Sequence, residues 1–572
     1  MQKMATASTS TDGAVTVAST SLLSAISSPA YSTAVYFARQ ACLSLFSRLD
    51  SGQASGLIEI HEKNKPDSPI VYGAPVSKRA WRLRQEKQEQ EGQVCEEAPA
   101  SSYDKSPHAR LDVESDAFWI RLVLGNDLGF AEAYMSGEVS TPDLGACFKL
   151  FIDNRDVLSN MSVGPLAKVT STIQALLNRR YANTKRGSLR NIGAHYDISN
   201  TMYEAFLSAD MTYSCAIFPT LDADVQEGPL LAAAASAAAK AEESGAGGRG
   251  VAPGMAYRTA GFRSAQHDAG SNGPINVNGL LTPESSRGMH SPTMPVQDEL
   301  EEAQTRKLRT HIERANLQSG HRVLEIGTGW GSLAIEAVRS SGCRVDSLTL
   351  SVEQKALAET RIAAAGLSDR IKVHLMDYRD MPASWTDRFD RVISIEMLEA
   401  VGIEFLSTYF GSIDRVLNKD GGVLVFQCIT MPEERFQTYI DTVDFIKRWI
   451  FPGGVLPSVT SLIQAVERGA KRGLVLDTVH SIGPHYARTL REWRRRFEAS
   501  FDTIIKPALL RDHAEIRRLK ADEQDRECEV FRRKWIYYFV YCEVGFTERV
   551  IGDHIMSFTR TSNKSLPVCC GS

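Results

Sequence analysis

The sequence predicts an α/β protein whose larger part is a doubly wound domain on a mainly parallel sheet. Three observations carry that prediction. Five short apolar runs, RVLEIG, RVDSLTL, IKVHLMD, RVISIEM and GGVLVFQCIT, fall between residues 321 and 430 and alternate with helical stretches such as SLAIEAVRSS, VEQKALAETRIAAAG and EFLSTYFGSIDRVLN. Strands separated by helices pair in parallel through right-handed crossovers. A glycine-rich turn, VLEIGTGWGS, leaves the first run and opens a helix. Polar segments (TLSVEQ, LMDYRD, SIEMLEAVG) then follow the later runs, at the carboxyl ends of strands where open α/β sheets bind ligands.

At 572 residues the chain has room for two or three domains. A net charge of −4 excludes nucleic-acid binding through overall charge, and no run of eighteen apolar residues predicts a membrane span. Ten cysteines without CxxC pairs argue against a zinc site and a disulfide framework. They read as reduced thiols in the cytoplasm. The closing PVCCGS is no prenylation box and leaves acylation of Cys569 and Cys570 undecided.

Read in order, residues 1–31 are a Ser/Thr/Ala-rich stretch expected to be a disordered tail. Residues 32–160 are expected to form a small α+β domain. STAVYFARQACLSLFSRL has helical spacing, GLIEIHE and PIVYGAP read as strands, and Gly125, Gly129 and Gly137 mark turns between short apolar pieces. Residues 161–218 make a linker helix and the first part of the catalytic domain. Here Lys168, Arg179, Arg180, Lys185, Arg186 and Arg190 stand almost without acids, a solvated face or a patch for anionic lipid headgroups. Residues 219–298, with AAAASAAAK and a Gly/Ser/Asn/Pro-rich run, are expected to be a disordered low-complexity insertion. Residues 299–562 complete the catalytic domain, with Glu433 to about Arg549 a mainly helical cap and HIMSFTR a closing strand; 563–572 are a tail.

The glycines at 327, 329 and 331 give G-x-G-x-G, and a dinucleotide fingerprint wants its third glycine one residue later. With Glu325 just before the turn, the arrangement is that of methyltransferases using S-adenosylmethionine, where backbone approaches the amino-acid part and ribose. Thr349 and Gln354 are available to the ribose and carboxylate regions, and Asp377, with Tyr378 beside it, to the adenine amino group.

Nine ordered segments, HYDISNTMYEAFLSADMTYSCAIF, EEAQTRKL, VLEIGTGWGSLAIEA, TLSVEQ, MDYRDM, SIEMLEAVG, DFIKRWIFPGG, IGPHYARTLREW and YYFVYCEVGF, resemble the cyclopropane-fatty-acyl-phospholipid synthase family, relatives of the mycolic acid cyclopropane synthases. The resemblance spans roughly Ser32 to Arg560, broken by the insertion, and GFAEAYMSGEVSTPDL resembles the lipid-engaging N-terminal domain of full-length members. It implies a Rossmann-like, seven-stranded mixed sheet with a helical cap. It also implies methylene transfer from S-adenosylmethionine to the cis double bond of an unsaturated phospholipid acyl chain, through a carbocation deprotonated by bound bicarbonate. By position Glu399 matches the glutamate that orients the bicarbonate. Cys215, Tyr538, the main chain at Ile429, and Gln427 (where bacterial members carry His) match its other contacts, and Tyr213 and Ser214 match residues at the cofactor. Glu396 stays a strand-end residue or a cofactor-side helper. Ala400 replaces a bacterial His, and GTGWG replaces GCGWG; Gln with EAVG is similar to eukaryotic members. A peripheral membrane location on anionic lipid and a homodimer are further expectations from the resemblance. The rival readings are a lipid C-methyltransferase making methyl- or methylene-branched chains, a small-molecule N- or O-methyltransferase, and a non-catalytic lipid-binding protein.

Overall fold

The computed structural model describes residues 28–51, 54–74, 107–158, 200–221, 224, 298–561, 563–564 and 566. The basic stretch from Lys168 to Arg190, the low-complexity run after Asp224 and the cysteines at 569 and 570 lie outside them. Residues 1–221 and 299–572 belong to one unit, and Asp222–Asp298 form a second, of which only Asp224 and Asp298 are described.

Helix α1 (Ser28–Phe46) begins inside the stretch read as tail and leads into β1 (Gly56–Glu62), β2 (Lys65–Ala74) and β3 (His108–Val113). Along β1 the side chains alternate as a half-buried strand requires, Ile58 and Ile60 fully buried between the more open Glu59 and His61. With the short β4 (Val139–Ser140) they form a sheet ordered β2-β1-β3-β4, in which β1 and β3 run parallel. The stretch read as short pieces between glycine turns is instead one helix, α2 (Ala117–Met135), interrupted at Asn126 with φ 49°. Gly125 does stand beside that reversal. Gly129 serves a close approach: a Cβ there would lie 1.9 Å from the Arg121 carbonyl oxygen. Gly137, at φ 74°, is a true turn glycine. Helix α3 (Leu144–Asp153) is capped by Asp143, whose carboxylate accepts from the Ala146 amide at 2.9 Å.

After α4 (Asn200–Phe206) and α5 (Glu299–Arg314) the predicted alternation appears. It runs β5 (Arg322–Ile326), α6 (Ser332–Ser341), β6 (Arg344–Thr349), α7 (Val352–Ala364), β7 (Ile371–Leu375), β8 (Arg391–Ile395), α8 (Leu406–Val416) and β9 (Val423–Thr430). Helices α9 (Glu433–Asp441) and α10 (Val459–Gly469) follow. Next come β10 (Val475–Ser481), α11 (Gly483–Ser500), α12 (Ala521–Thr547) and β11 (Gly552–Thr559). The sheet order is β10-β11-β9-β8-β5-β6-β7; β5 to β9 pair in parallel, and β11 runs antiparallel to both β9 and β10. This is the seven-stranded mixed sheet that the resemblance implies. The stretch from Glu433 to Arg549 is mainly helical as expected, with strand β10 as an addition. This is an edge strand, mostly exposed and held by its ladder to β11.

The long helix α12 joins the two sheets. The Tyr537 ring packs edge-on against Phe148 at 5.0 Å, and Arg533 donates to the carbonyl oxygens of Tyr134 (2.8 Å) and Val139 (3.2 Å). One buried apolar cluster runs from Phe46, Phe118 and Leu150 through Phe206 and Trp493 to Trp535 and Phe539. No helix among the described residues is long and apolar enough to cross a membrane.

Candidate active site

The glycine loop supplies the first wall of the site. Gly327, Gly329 and Gly331 have φ of 103°, 51° and 89°, conformations that side chains resist. The amides of Gly327 and Thr328 both donate to the Leu348 carbonyl at 3.0 Å, which pins the loop to the end of β6. A Cβ at Gly329 would project into open space, whereas one at Gly331 would sit 3.4 Å from the Ala358 Cβ. Gly329 therefore leaves room beside the loop, and Gly331 is required by its left-handed backbone at the start of α6.

That room is a cavity of about 210 Å³. It is lined by Tyr213, Ser214, Glu325, Gly327, Gly329, Thr349, Gln354, Asp377 and Tyr378, which are all the expected cofactor residues except Gly331. Thr349 Oγ1 donates to Gln354 Oε1 at 2.9 Å. The Glu325 carboxyl accepts from Ser347 and is pushed up to about 8 by burial. Asp377 is less available than expected. Its oxygens accept from Arg379 Nε at 2.8 Å and Nη2 at 2.6 Å, so a bond to an adenine amino group would have to be shared. Polar loop backbone, a Thr–Gln pair and carboxylates on several sides fit S-adenosylmethionine, a polar molecule with a cationic sulfur and an ammonium group.

A second cavity, of about 990 Å³, opens on the other side. Phe46, Phe130, Phe148 and Leu158 line it from the N-terminal elements, and Phe451, Tyr537 and Tyr541 from the cap. Its largely apolar wall suits a hydrocarbon chain. The two cavities share three lining residues, Tyr213, Glu396 and Ala400. Tyr538 lines the larger one, and its hydroxyl lies 3.1 Å from that of Tyr213.

Glu396 is the hub of this junction, a role the sequence reading left open. It follows β8 with φ 46°, a left-handed conformation uncommon for a side-chain-bearing residue and a marker of sites where the surroundings dictate the backbone. Its Oε1 accepts from the Cys215 amide at 2.9 Å and from Gln427 Nε2 at 2.6 Å, and its Oε2 accepts from the Tyr486 hydroxyl at 2.6 Å. Gln427 Nε2 also donates to Asp553 Oδ2 at 2.8 Å. The buried Lys307 donates to Ser214 Oγ at 2.7 Å and acts electrostatically on Glu396. Burial raises both carboxyls above their ordinary values; Glu396 is relieved by its donors and by Lys307, while Asp553 is pushed well up by burial and by the neighbouring glutamates. The negative charge of this pair therefore belongs on Glu396 and the proton on Asp553.

Glu399, three residues on, differs. Its Oε1 accepts from the Ile429 amide at 2.6 Å, but its buried Oε2 has no hydrogen-bond partner. Burial first, then repulsion from Glu396, push this carboxyl up to about 8. It faces the larger cavity only.

These commitments decide the expected bicarbonate site. The Cys215 and Ile429 amides and the Gln427 carboxamide, expected to hold that anion, all donate to carboxylates of the chain itself. The Cys215 thiol is fully buried and directed at the carbonyl oxygens of Ala216 and Ile482. Neither Cys215 nor Gln427 lines either cavity. Of the expected set, Tyr538, Glu399 and Ile429 reach the larger cavity. These donors are committed to Glu396, Glu399 and Asp553 and do not fit a bicarbonate held as expected. Sequence reasoning also missed Lys307, Tyr486 and Asp553. Lys307 and Tyr486 fall within the quoted segments EEAQTRKL and IGPHYARTLREW, and Asp553 immediately precedes the HIMSFTR strand.

Residues 183–235 and 293–554 match the family described as mycolic acid cyclopropane synthetase. The chain is 33% identical over 419 residues to the tuberculostearic acid methyltransferase UfaA1 of Mycobacterium tuberculosis, covering 73% of this chain and 75% of that one. It is 33% identical over 271 residues to the cyclopropane-fatty-acyl-phospholipid synthase of Escherichia coli, covering 47% of this chain and 62% of that one. Among solved structures, mycolic acid cyclopropane synthase CmaA1 complexed with SAH and CTAB aligns at 21% identity and a TM-score of 0.43, over 65% of this chain and 98% of that chain.

Proposed function

Because the chain belongs to the mycolic acid cyclopropane synthetase family of S-adenosylmethionine-dependent lipid enzymes, we propose that it transfers the one-carbon unit of that cofactor to the cis double bond of an unsaturated phospholipid acyl chain and closes a cyclopropane ring. The observation that carries the reading is the junction. A polar cavity and an apolar cavity share Tyr213, Glu396 and Ala400, so a methyl donor and an alkene in their respective cavities face each other across three side chains. S-adenosylmethionine supplies a methyl group on a positively charged sulfur. The protein holds the two reactants in contact and keeps bulk water away from a cation that water would trap. Positioning of this kind is worth about 7–11 kcal/mol of a barrier.

A second reading is a methyl- or methylene-branched product, and the similarity to UfaA1 supports it. Both products come from the same methylated cation and differ in the proton lost. Purified protein incubated with vesicles of a dioleoyl phospholipid and labelled S-adenosylmethionine separates them. Proton NMR of the extracted chains shows high-field ring methylene signals for a cyclopropane and vinylic signals for a methylene branch. Absence of label from the acyl chains rejects both.

The lipid is reached, on this proposal, by reversible docking to an anionic membrane surface through the basic stretch around Arg179 to Arg190 and the N-terminal domain. Such docking weakens with salt. Equal partition onto phosphatidylglycerol vesicles at low and high ionic strength rejects it.

A further inference from the structure

We propose that the carboxylate of Glu396 is the proton acceptor of the reaction, a base built into the chain in place of a captured bicarbonate. The inference rests on the alkene-methylation reading above and adds to it the identity of the base.

Geometry carries it. Two of the donors expected to cradle a small carboxylate-like anion, the Cys215 amide and Gln427 Nε2, donate instead to Oε1 of Glu396, and the Tyr486 hydroxyl adds a third bond on Oε2. An ionised carboxylate has about four acceptor positions. Oε1 takes two of these bonds and Oε2 one, and the Asp553 carboxyl is a further neighbour of the group. Glu396 lines both cavities, and of the three residues at their junction it alone carries a basic group. Glu399 is the less suitable base, because it lines only the lipid-side cavity and lies outside the shared wall. Asp553 lines neither cavity, and Gln427 ties its Oδ2 to Glu396 from behind.

The step balances. The alkene π electrons form a bond to the methyl carbon as the carbon–sulfur bond breaks, leaving neutral S-adenosylhomocysteine and a cation on the neighbouring chain carbon. The electron pair of a C–H bond of the new methyl group closes the ring, and its proton passes to Glu396 Oε2. No oxidant, reductant or further reactant is needed. The left-handed backbone at Glu396, directly after β8, falls at the residue that lines both cavities.

The test compares carbonate-free with bicarbonate-supplemented buffer, using dioleoyl phosphatidylglycerol vesicles and S-adenosylhomocysteine release as the readout. Wild-type turnover is expected to agree within about twofold between buffers, while Glu396→Gln loses about 100-fold or more in kcat, in the range of a missing general base. Binding of S-adenosylhomocysteine to Glu396→Gln, measured by calorimetry, is expected to stay within about threefold of wild type, because the carboxamide keeps the side-chain volume. Glu396→Gly is expected to recover about tenfold or more of its lost rate when formate or bicarbonate is added, the small anion entering the vacated cradle. A wild-type rate that collapses in carbonate-free buffer and returns with bicarbonate overturns the proposal and leaves the methyl-transfer reading standing. Glu396→Gln retaining most of its kcat also overturns it. Should Glu396→Gln fail to fold, wild-type carbonate dependence alone decides. No turnover by wild type in either buffer removes the reading itself and the proposal with it.

Discussion

Two carboxylates in one turn, Glu396 and Glu399, meet opposite environments. Three donors from residues 215, 427 and 486 converge on Glu396; Glu399 receives the Ile429 amide on one oxygen and nothing on the other. Both lie in the same low-dielectric pocket, so burial penalises the charge of each. The difference lies in what opposes the penalty. Three donors and a nearby Lys307 oppose the penalty at Glu396, whereas Glu399, with repulsion from Glu396 added to burial, is pushed up to about 8. Residue type and sequence proximity therefore say little about protonation here. The partners say most.

The largest expected effect comes from removing the shared donor. Gln427→Leu leaves Glu396 and Asp553 facing each other without the carboxamide between them. About 3 kcal/mol of stability should be lost, read as a lowered denaturant midpoint at unchanged slope. A variant as stable as wild type would mean that the two carboxyls share a proton directly and that Gln427 is dispensable.

Tyr486→Phe is the next step down. It removes one donor from Glu396 and keeps the ring that stacks on Phe546 at 4.4 Å. The expected loss is about 1.5–3 kcal/mol of support for the anion. It should appear as a lower kcat with little change in KM for the lipid. An effect confined to KM would place Tyr486 among the lining residues and not among the groups holding the base.

A pH profile separates the two glutamates. A carboxyl whose folded value is raised from 4.5 to about 8 binds its proton more tightly when folded, so its contribution to stability falls as pH rises through that window. Glu399→Gln should flatten the stability-against-pH curve between pH 5 and 8 by up to about 1.4 kcal/mol per pH unit. Glu325, raised to about 8 by burial, contributes a similar slope that Glu399→Gln leaves in place. An unchanged curve in Glu399→Gln would mean that water or substrate already solvates its free oxygen.

Much of this architecture was legible in the chain. The five parallel strands appear where the apolar runs stand, because both faces of such strands are covered by helices and the sequence must be apolar throughout. Strand β10 was not legible. It lies at the sheet edge with Val475, Leu476 and Val479 exposed, so its conformation comes from backbone pairing to β11 and leaves no alternation of burial. The break in α2 was half legible: Gly125 announced a reversal, while Gly129 answers to a contact eight residues back. At the site, the cofactor residues follow strand ends and could be placed by position. The role of Glu396 depends on donors 181, 31 and 90 residues away along the chain, and no local pattern encodes such a convergence.

The junction between the cavities contains one residue with no chemistry of its own. Ala400 contributes a single methyl to the wall that both compartments share. The aperture through which a one-carbon fragment must pass is therefore set partly by how little that side chain occupies. A larger side chain there would narrow the junction between the two cavities while leaving every acid, donor and glycine in place.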